Sequence, residues 1–494
     1  MPRTTRRTAT HTVATGLALA TALGLAALTP SAASAAPPAA SPAPGYVQGA
    51  LQNYAVNIST ANRGQTLKVE RAVAAAGGTV VESYAEIGVV IAQSDNADFA
   101  AALRRDKTVE SVGATRTAAV AVTDPTYGVS DPLAKGESGK GKPGARVTRT
   151  PSIEDTTTAA ADPREAEQWD MQAIGADQAH LVTDGSRDVL VAVLDSGIQG
   201  DHPDLAANID TAASASCLSG SPDSSYASWQ PTTSDHGTHV AGTIAAARNG
   251  VGIVGVAPGV RMSSVKVVND DGFIFAEAAI CGFMHAVATG ADVTNNSYYI
   301  DPWQFWCDDD ADQRAVKTAV DRAVQYSQDG GVVNVAAAGN SNVDLAHKTT
   351  DSSSPNDTTP VTRTIDAGCE DIPAELDGVV TVSSTTSTGA RSSFSNYGEG
   401  VIDVAAPGSR ILSTVTGSGY GLKSGTSMAS PHVAGVVALL KSAHPELSGT
   451  ALTDLLYAQA DDVPCPTGTT TCTGPAADNG YFGEGLVDAL EAVR

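Results

Sequence analysis

The pattern of apolar and polar positions differs between the two ends of the chain. In residues 163–494, short continuous apolar runs alternate with longer helix-like stretches. Such runs are typical of strands buried on both faces of a parallel sheet. The predicted strands are 189–194, 262–268, 332–337, 378–382 and 401–404, and the predicted helices are 238–247, 276–289, 311–328 and 427–443. This order predicts a doubly wound, mostly parallel α/β sheet.

A shorter pattern covers residues 46–122. Tyr54, Val56 and Ile58 alternate as in a strand, and a later helix is expected to begin at a cap formed by Asp95 and to end at Leu103. The other predicted elements are a helix over 67–76, strands over 79–84 and 87–92, and an extended stretch over 109–122. The order β-α-β-β-α-β is a split βαβ arrangement, so we expect a small α+β domain here.

The remaining segments read as a leader and two linkers. Arg3, Arg6 and Arg7 precede an apolar run over 13–28 and a small-residue cleavage pattern at 33–35, so residues 1–35 are interpreted as a signal peptide. The alternative, a membrane anchor, is disfavoured because the run is short and Pro30 follows it. The Pro/Ala-rich residues 36–45 and the polar residues 123–162 have linker compositions, and the second is expected to be accessible to proteolysis.

Charge and cysteine content support an exported protein. The chain of 494 residues has a net charge of −24, which argues against nucleic acid or an anionic membrane as a partner. Residues 163–494 hold 15 basic and 41 acidic residues, so the acidic excess belongs to the larger domain. Six cysteines can pair in an oxidising compartment, but the sequence suggests only Cys465 with Cys472 as a local pair.

Four polar residues lie at the predicted strand ends and helix starts. Asp195 and Asn340 follow buried strands, whereas His236 and Ser427 open helices. Reacting groups of doubly wound sheets gather beyond the carboxyl ends of the strands. A serine hydroxyl needs an imidazole to remove its proton, the imidazole needs a carboxylate to orient it, and the resulting oxyanion needs fixed donors. The Ser427 N–H and the Asn340 amide would supply two such donors.

The sequence around these residues resembles that of the subtilisin-like serine proteases, or subtilases. The matching blocks are VLDSG at Asp195, HPDL at 202–205, HGTHVAG at His236, FSNYG at 394–398, VAAPG at 404–408 and GTSMASPHVAG around Ser427. The order Asp, His, Ser is that of subtilisin. The resemblance implies that 163–494 is a peptidase domain of a secreted serine endopeptidase, which cleaves proteins or peptides through an acyl-enzyme and needs no cofactor for catalysis.

The resemblance also extends to the N-terminal domain. Residues 46–122 are similar to the inhibitor-like prosegment of the family, which assists folding and occupies the cleft until it is cut away. This implies a proenzyme whose own prosegment is an intramolecular inhibitor, with the maturation cut expected in 123–162. A membrane or nucleic-acid partner is not expected for the mature form.

The family resemblance assigns substrate contacts to Ser297, Tyr298, Tyr299, Ala338 and Gly339. Where the family usually has Asn-x-Ser-Leu-Gly, this chain reads NNSYY over 295–299. A tyrosine in place of the last glycine is expected to crowd or reshape the cleft. The stretch 301–312, rich in Trp and Asp, is a candidate for an unusual wall, and the sequence leaves open whether Glu370 and Asp371 face a basic substrate side chain.

Other interpretations of the same residues remain. The tyrosine pair motivates an alternative in which the chain is a catalytically silent pseudoprotease that acts as a binding protein. His236 and His239 lack an accompanying H-E-x-x-H or C-x-x-C motif, so a catalytic zinc is not expected. The sequence 269–272 is interpreted as a turn rather than a calcium loop. His239, His285 and His432 are interpreted as packing or hydrogen-bonding residues rather than catalysts. Structural calcium is common in the family, and its ligands cannot be assigned from this sequence.

Overall fold

The computed structural model of the protein describes residues 49–120 and 161–494. The predicted signal peptide, the Pro/Ala linker and nearly all of the predicted linker 123–162 lie outside the described residues. Within the described ranges, no helix is both long enough and apolar enough to cross a membrane.

The N-terminal domain has the predicted order β-α-β-β-α-β. Its elements are β1 Gln52–Ile58, α1 Arg63–Ala75, β2 Thr79–Tyr84, β3 Val89–Ser94, α2 Phe99–Leu103 and β4 Val109–Ala114. The sheet is antiparallel, with the order β2-β3-β1-β4. Val69 and Val73 of α1 pack with Phe99 of α2 on one face of this sheet.

Two boundaries of this domain differ from the prediction. The second helix begins at Phe99 after Asp98, so Asp95 does not cap it. The preceding residues instead form a turn, in which Asn96 donates to the Ala76 carbonyl at 2.8 Å and accepts from the Asp98 N–H at 3.1 Å. The last strand ends at Ala114, and the described chain beyond it runs to Val120, whose N–H donates to the Leu51 carbonyl at 2.8 Å.

The larger domain is built on a seven-stranded sheet in which every neighbouring pair is parallel. Its strands are β5 Leu190–Asp195, β6 Ala215–Ser216, β7 Arg261–Lys266, β8 Val293–Asn296, β10 Val333–Ala337, β14 Val380–Thr385 and β15 Val404–Pro407, in the order β15-β14-β10-β8-β5-β7-β6. Short antiparallel pairs flank it: β9 Trp306–Cys307 with β13 Cys369–Glu370, β11 Thr350–Asp351 with β12 Arg363–Thr364, and β16 Ile411–Val415 with β17 Gly419–Lys423. All five predicted strands are present, within a few residues of the predicted bounds.

Helices cover both faces of the sheet. They are α3 Trp169–Ala173, α4 Ala176–Ala179, α5 His236–Ala245, α6 Ala276–Ala288, α7 Ala311–Asp329, α8 Thr426–Ala443 and α9 Thr450–Gln459, with short 3₁₀ turns at Glu165–Glu167, Leu345–His347 and Glu491–Val493. Val191 and Val193 of β5 pack with α5 and α8, whereas Leu190, Ala192 and Leu194 pack with α6 and α7. This alternation confirms the predicted doubly wound α/β fold.

Helix α7 shows how the sequence sets local structure. The Asp310 carboxylate accepts from the N–H groups of Asp312 and Gln313 at 2.9 and 3.0 Å and so caps the helix. Apolar residues recur on one side and are buried: Ala315, Val316, Ala319, Val320, Ala323 and Val324. Gly330 and Gly331 end the helix.

The N-terminal domain packs on α6 and α7 of the larger domain. Asn57 donates to the Ala315 carbonyl at 2.7 Å, and Arg322 donates to the Ile58 carbonyl at 3.2 Å. Arg116 and Glu277 form an ion pair that is almost completely buried, and the Arg116 guanidinium lies 3.7 Å from the ring centroid of Phe275. The two domains therefore share a core as well as polar contacts.

All six cysteines are paired. The disulfides are Cys217–Cys281, Cys307–Cys369 and Cys465–Cys472. The third is the local pair suggested by the sequence. The other two join segments more than 60 residues apart, at separations of 64 and 62, and only the fold brings these segments together.

Candidate active site

A cleft of about 440 Å³ lies at the carboxyl ends of the central strands. Asp195, His236, Asn340 and Ser427 all line it. Asp195 is the last residue of β5, Asn340 follows β10, and the other two residues lie in the first turns of α5 and α8. The structure thus brings the four sequence-predicted residues together in one cleft.

Asp195 and His236 are directly hydrogen-bonded. Nδ1 of His236 lies 2.9 and 3.0 Å from the two carboxylate oxygens of Asp195, a residue that is only 1% exposed. Burial disfavours the imidazolium, but the adjacent Asp195 carboxylate outweighs it, so the pKa of His236 is raised above its ordinary value. With Nδ1 directed to the carboxylate, Nε2 is left to act on a reacting group.

Ser427 and Asn340 lie next to each other at the N-terminus of α8. The Asn340 Oδ1 accepts from the N–H and hydroxyl of Thr426 at 2.8 and 3.0 Å, which leaves its amide nitrogen as a donor. A Cβ placed on Gly425 would lie 3.6 Å from both Asn340 Nδ2 and the Ser427 N. The Ser427 hydroxyl donates to the Ser297 carbonyl at 3.2 Å. Two donors and one hydroxyl therefore converge, as an oxyanion site requires.

Comparison with known proteins now identifies the family. The Subtilase family model matches residues 186–485, which is more than half of the chain. The protein belongs to the subtilase family. This family comprises the subtilisin-like serine proteases, and subtilisins are serine endopeptidases.

Individual relatives agree with this assignment. Subtilisin E from Bacillus subtilis (strain 168) is 35% identical over 306 residues, which are 62% of this chain and 66% of that protein, slightly less than two thirds of its length. Subtilisin DY from Bacillus licheniformis is 33% identical over 306 residues and is covered to 91%. The crystal structure of the epidermin leader peptide processing serine protease from Staphylococcus aureus matches with a TM-score of 0.63 at 22% identity, covering 90% of this chain and 98% of that one, which shows a common fold.

The three histidines that the sequence assigns to packing or hydrogen bonding have internal partners in this subtilase. His239 Nε2 lies 3.0 Å from the Ile411 carbonyl, and burial lowers its pKa to about 4. His285 contacts the Ala213 carbonyl at 2.9 Å, and His432 is buried 3.0 Å from an oxygen of Asp170. None of the three lines the cleft.

Four of the five expected substrate residues lie on the surface of the cleft. Ser297, Tyr298, Tyr299 and Gly339 line the cleft, whereas Ala338 is fully buried beneath it. The Tyr298 hydroxyl turns inward and donates to Asn296 Oδ1 at 3.0 Å. Tyr299 stays on the wall, where its hydroxyl accepts from Asn356 at 3.0 Å. The tyrosine pair therefore shapes the cleft, and the cleft stays open beside Ser427.

The acidic side of this subtilase cleft contains residues that sequence reasoning only partly anticipated. Asp301, from the Trp- and Asp-rich stretch, lines it together with Gln304, Asn356 and Asp371. Glu370 points elsewhere and pairs with Lys317 at 3.1 Å. Gln304 belongs to the same stretch, whereas Asn356 carried no signal in the sequence, because it reaches the cleft from a loop whose course depends on the fold.

The predicted turn over 269–272 is present, with the Gly272 N–H donating to the Asn269 carbonyl at 3.1 Å. Among residues 49–120 and 161–494, no group of three or more His, Cys, Asp or Glu side chains is arranged to hold a metal ion.

Proposed function

We propose that this subtilase is a secreted serine endopeptidase that is made as a proenzyme and works through a Ser-His-Asp acyl-enzyme mechanism. The observation that carries the proposal is the Asp195–His236 hydrogen bond in the same cleft as Ser427 and Asn340. Acyl transfer needs a buried carboxylate, an imidazole, a hydroxyl and two hydrogen-bond donors for the oxyanion.

In this mechanism the Ser427 oxygen attacks the carbonyl carbon of the scissile peptide while His236 Nε2 takes the hydroxyl proton. Asp195 keeps Nδ1 protonated and stabilises the imidazolium. The Ser427 N–H and Asn340 Nδ2 bind the oxyanion. Collapse of the intermediate breaks the C–N bond, and His236 gives its proton to the leaving amine. Water, with His236 again as the base, then hydrolyses the acyl-enzyme.

Replacing Asn340 by alanine is expected to lower kcat by about 10²–10³-fold, a size known for the equivalent donor in a subtilisin. KM is expected to change little, because the donor acts on the oxyanion rather than on the bound substrate. Steady-state kinetics on a peptide amide measure both constants. A KM increase with unchanged kcat would contradict the role given to Asn340.

The proenzyme part of the proposal is supported by the contact between the domains. The Arg116–Glu277 ion pair has side chains that are 2% and 0% exposed, and Asn53 adds a hydrogen bond to Glu277 at 2.6 Å. Farther along, the N–H groups of Thr117 and Ala118 both donate to the Asp357 carboxylate at 2.8 Å. Asp357 adjoins Asn356 on the cleft wall, so the described prosegment reaches the rim of the cleft.

Substituting Arg116 by methionine leaves the Glu277 carboxylate buried without its cation, which costs about 3–5 kcal/mol. The prosegment is then held about 10²–10⁴-fold more weakly, so casein hydrolysis by the purified precursor is expected to start sooner than in the wild type. The exposed Arg105 provides the control substitution Arg105→Met. If casein hydrolysis began after the same delay in the wild type and in Arg116→Met, this contact would have no inhibitory role.

Secretion is supported by the leader pattern in residues 1–35 and by three disulfides, which persist in oxidising compartments. The experiment that tests the proposal is casein hydrolysis by the purified protein, with and without a serine-acylating fluorophosphonate and with a chelator in a third arm. The fluorophosphonate is expected to abolish hydrolysis. Hydrolysis lost to the chelator but retained after acylation would instead identify a metal-dependent hydrolase, and a folded protein without hydrolysis or acylation would be the pseudoprotease.

A further inference from the structure

Asp371 has a buried carboxyl side chain in the cleft, and this carboxyl group has no hydrogen-bond partner among the residues that the structure describes. It is 1% exposed and lines the same cleft as Ser427. Neither of its carboxylate oxygens has a hydrogen-bond partner among the described residues. Because an unpaired buried carboxylate is costly, its presence points to a cation supplied from outside the chain.

The carboxylate is held firmly in this position. Its own N–H donates to Glu375 Oε2 at 2.7 Å, and the next residue, Ile372, accepts from the Ile300 N–H at 2.9 Å. Two positions before it, Cys369 is in a disulfide. These contacts fix the backbone on both sides of Asp371.

The neighbouring acids are already satisfied. Glu370 pairs with Lys317, and Glu375 pairs with Lys348. Asp301 accepts from the Ile274 N–H and from Asn356, both at 2.6 Å. Asp371 thus differs from the three acids around it, each of which has donors from the protein.

The position of Asp371 relative to the scissile bond follows from its distance to Gly339. A Cβ on this glycine would lie 3.5 Å from Asp371 Oδ2, and Gly339 directly precedes Asn340, the proposed oxyanion donor. The carbonyl held by Asn340 belongs to the residue before the scissile bond. The side chain of that residue is therefore expected to lie beside Gly339, on the part of the cleft wall that Asp371 also lines.

We propose that Asp371 is a specificity-determining residue that selects substrates with arginine or lysine immediately before the scissile bond. The proposal rests on the proposed protease function. Burial, followed by the nearby Glu375, raises the pKa of Asp371 well above its ordinary value, so the carboxylate favours its charged form only when a cation compensates it. A guanidinium or ammonium group on the substrate provides that compensation through charge-assisted hydrogen bonds.

The chain itself offers such substrates. The predicted linker 123–162 contains five basic residues, Lys135, Lys140, Lys142, Arg146 and Arg149. Self-maturation by an enzyme with this preference cuts after one of them. The N-terminal sequence of the mature protein is therefore expected to begin directly after a lysine or arginine.

The test is a series of peptide amides that differ only in the residue before the scissile bond, with Arg, Lys, Leu, Phe or Gln at that position. For the wild type we expect kcat/KM to be at least about 10-fold higher for Arg and Lys than for Leu. In Asp371→Asn, the ratio of kcat/KM for the Arg substrate to kcat/KM for the Leu substrate is expected to fall by about 10–100-fold. Glu370→Gln removes the adjacent acid, which lies outside the cleft, and is expected to keep the wild-type ratio. Since the ratio is internal to each preparation, it does not depend on the amount of folded enzyme.

A second measurement needs only the wild type. Benzamidine, a cationic mimic of the arginine side chain, is expected to inhibit cleavage of the Leu substrate competitively and at least about 10-fold better than neutral benzamide. Cleavage of Leu or Phe substrates as fast as Arg, an unchanged ratio in Asp371→Asn, or equal inhibition by the two compounds overturns the assignment of Asp371 while leaving the protease function intact. A wild type that cleaves none of the peptides overturns the protease function and this proposal together.

Discussion

Replacing Ser427 by alanine is expected to lower kcat toward casein by about 10⁶-fold, a size already established for a subtilisin without its nucleophile. The physical reason is that no acyl-enzyme forms, so only binding and the oxyanion donors remain. The same protein is expected to keep residues 36 to about 160 attached, since maturation uses the same cleft. Casein hydrolysis and electrophoresis of the purified protein measure the two effects.

Ser387 provides the matched control, because it is an exposed serine that does not line the cleft. Ser387→Ala is expected to match the wild type in both assays. If Ser427→Ala still hydrolysed casein and still shed its N-terminal domain, neither the nucleophile nor self-maturation could be as we propose.

Replacing Asp195 by asparagine is expected to lower kcat by about 10⁴-fold while leaving the fold intact. An asparagine amide cannot hold His236 in the tautomer that directs Nε2 to Ser427. The loss should be smaller than for Ser427→Ala, because an imidazole and a nucleophile remain. Stopped-time hydrolysis of a peptide amide at fixed pH gives the ratio to the wild type. A loss of less than tenfold would mean that the 2.9 Å contact with His236 has no catalytic consequence.

The pH profile of the same variant adds an independent readout. His236 must be neutral to act as a base, so kcat/KM is lost as the pH falls through its pKa. Asp195 raises that pKa, so activity in the wild type is expected to be lost at a higher pH than for an ordinary histidine. In Asp195→Asn, burial still lowers the pKa of His236, but the carboxylate that raises it is gone. The loss of kcat/KM at low pH should therefore move to lower pH. A shift in the other direction would show that Asp195 does not stabilise the imidazolium.

The sequence was sufficient to predict the parts of the fold that follow from continuous apolar runs. The strand Leu190–Asp195 is buried along its whole length, and the run that predicts it ends one residue before Asp195. Ser427 was recognisable because helix α8 starts within a long, distinctive block. In these cases local composition and position along the chain determine the structure.

The strand Val293–Asn296 was missed because three of its four residues are polar. They are fully buried all the same, since Asn296 donates to the Val335 carbonyl at 3.0 Å and Ser430 donates to Asn295 at 2.8 Å. Tertiary hydrogen bonds thus replace the apolar signal that sequence patterns detect.

The acidic pair at 370–371 shows a second limit of the sequence. Successive residues of an extended chain point to opposite sides, so one of the two faces Lys317 and the other the cleft. Which one faces the cleft depends on the pairing of β13 with β9 and on the Cys307–Cys369 disulfide. These long-range contacts cannot be derived from spacing alone.

Mass spectrometry of the protein after treatment with a fluorophosphonate tests directly whether Ser427 is the activated nucleophile. We expect one adduct per molecule, located on the peptide that contains Ser427, and no adduct in Ser427→Ala or in wild-type protein that was first unfolded. An adduct on another residue, or a folded wild type that forms none, would contradict this role of Ser427.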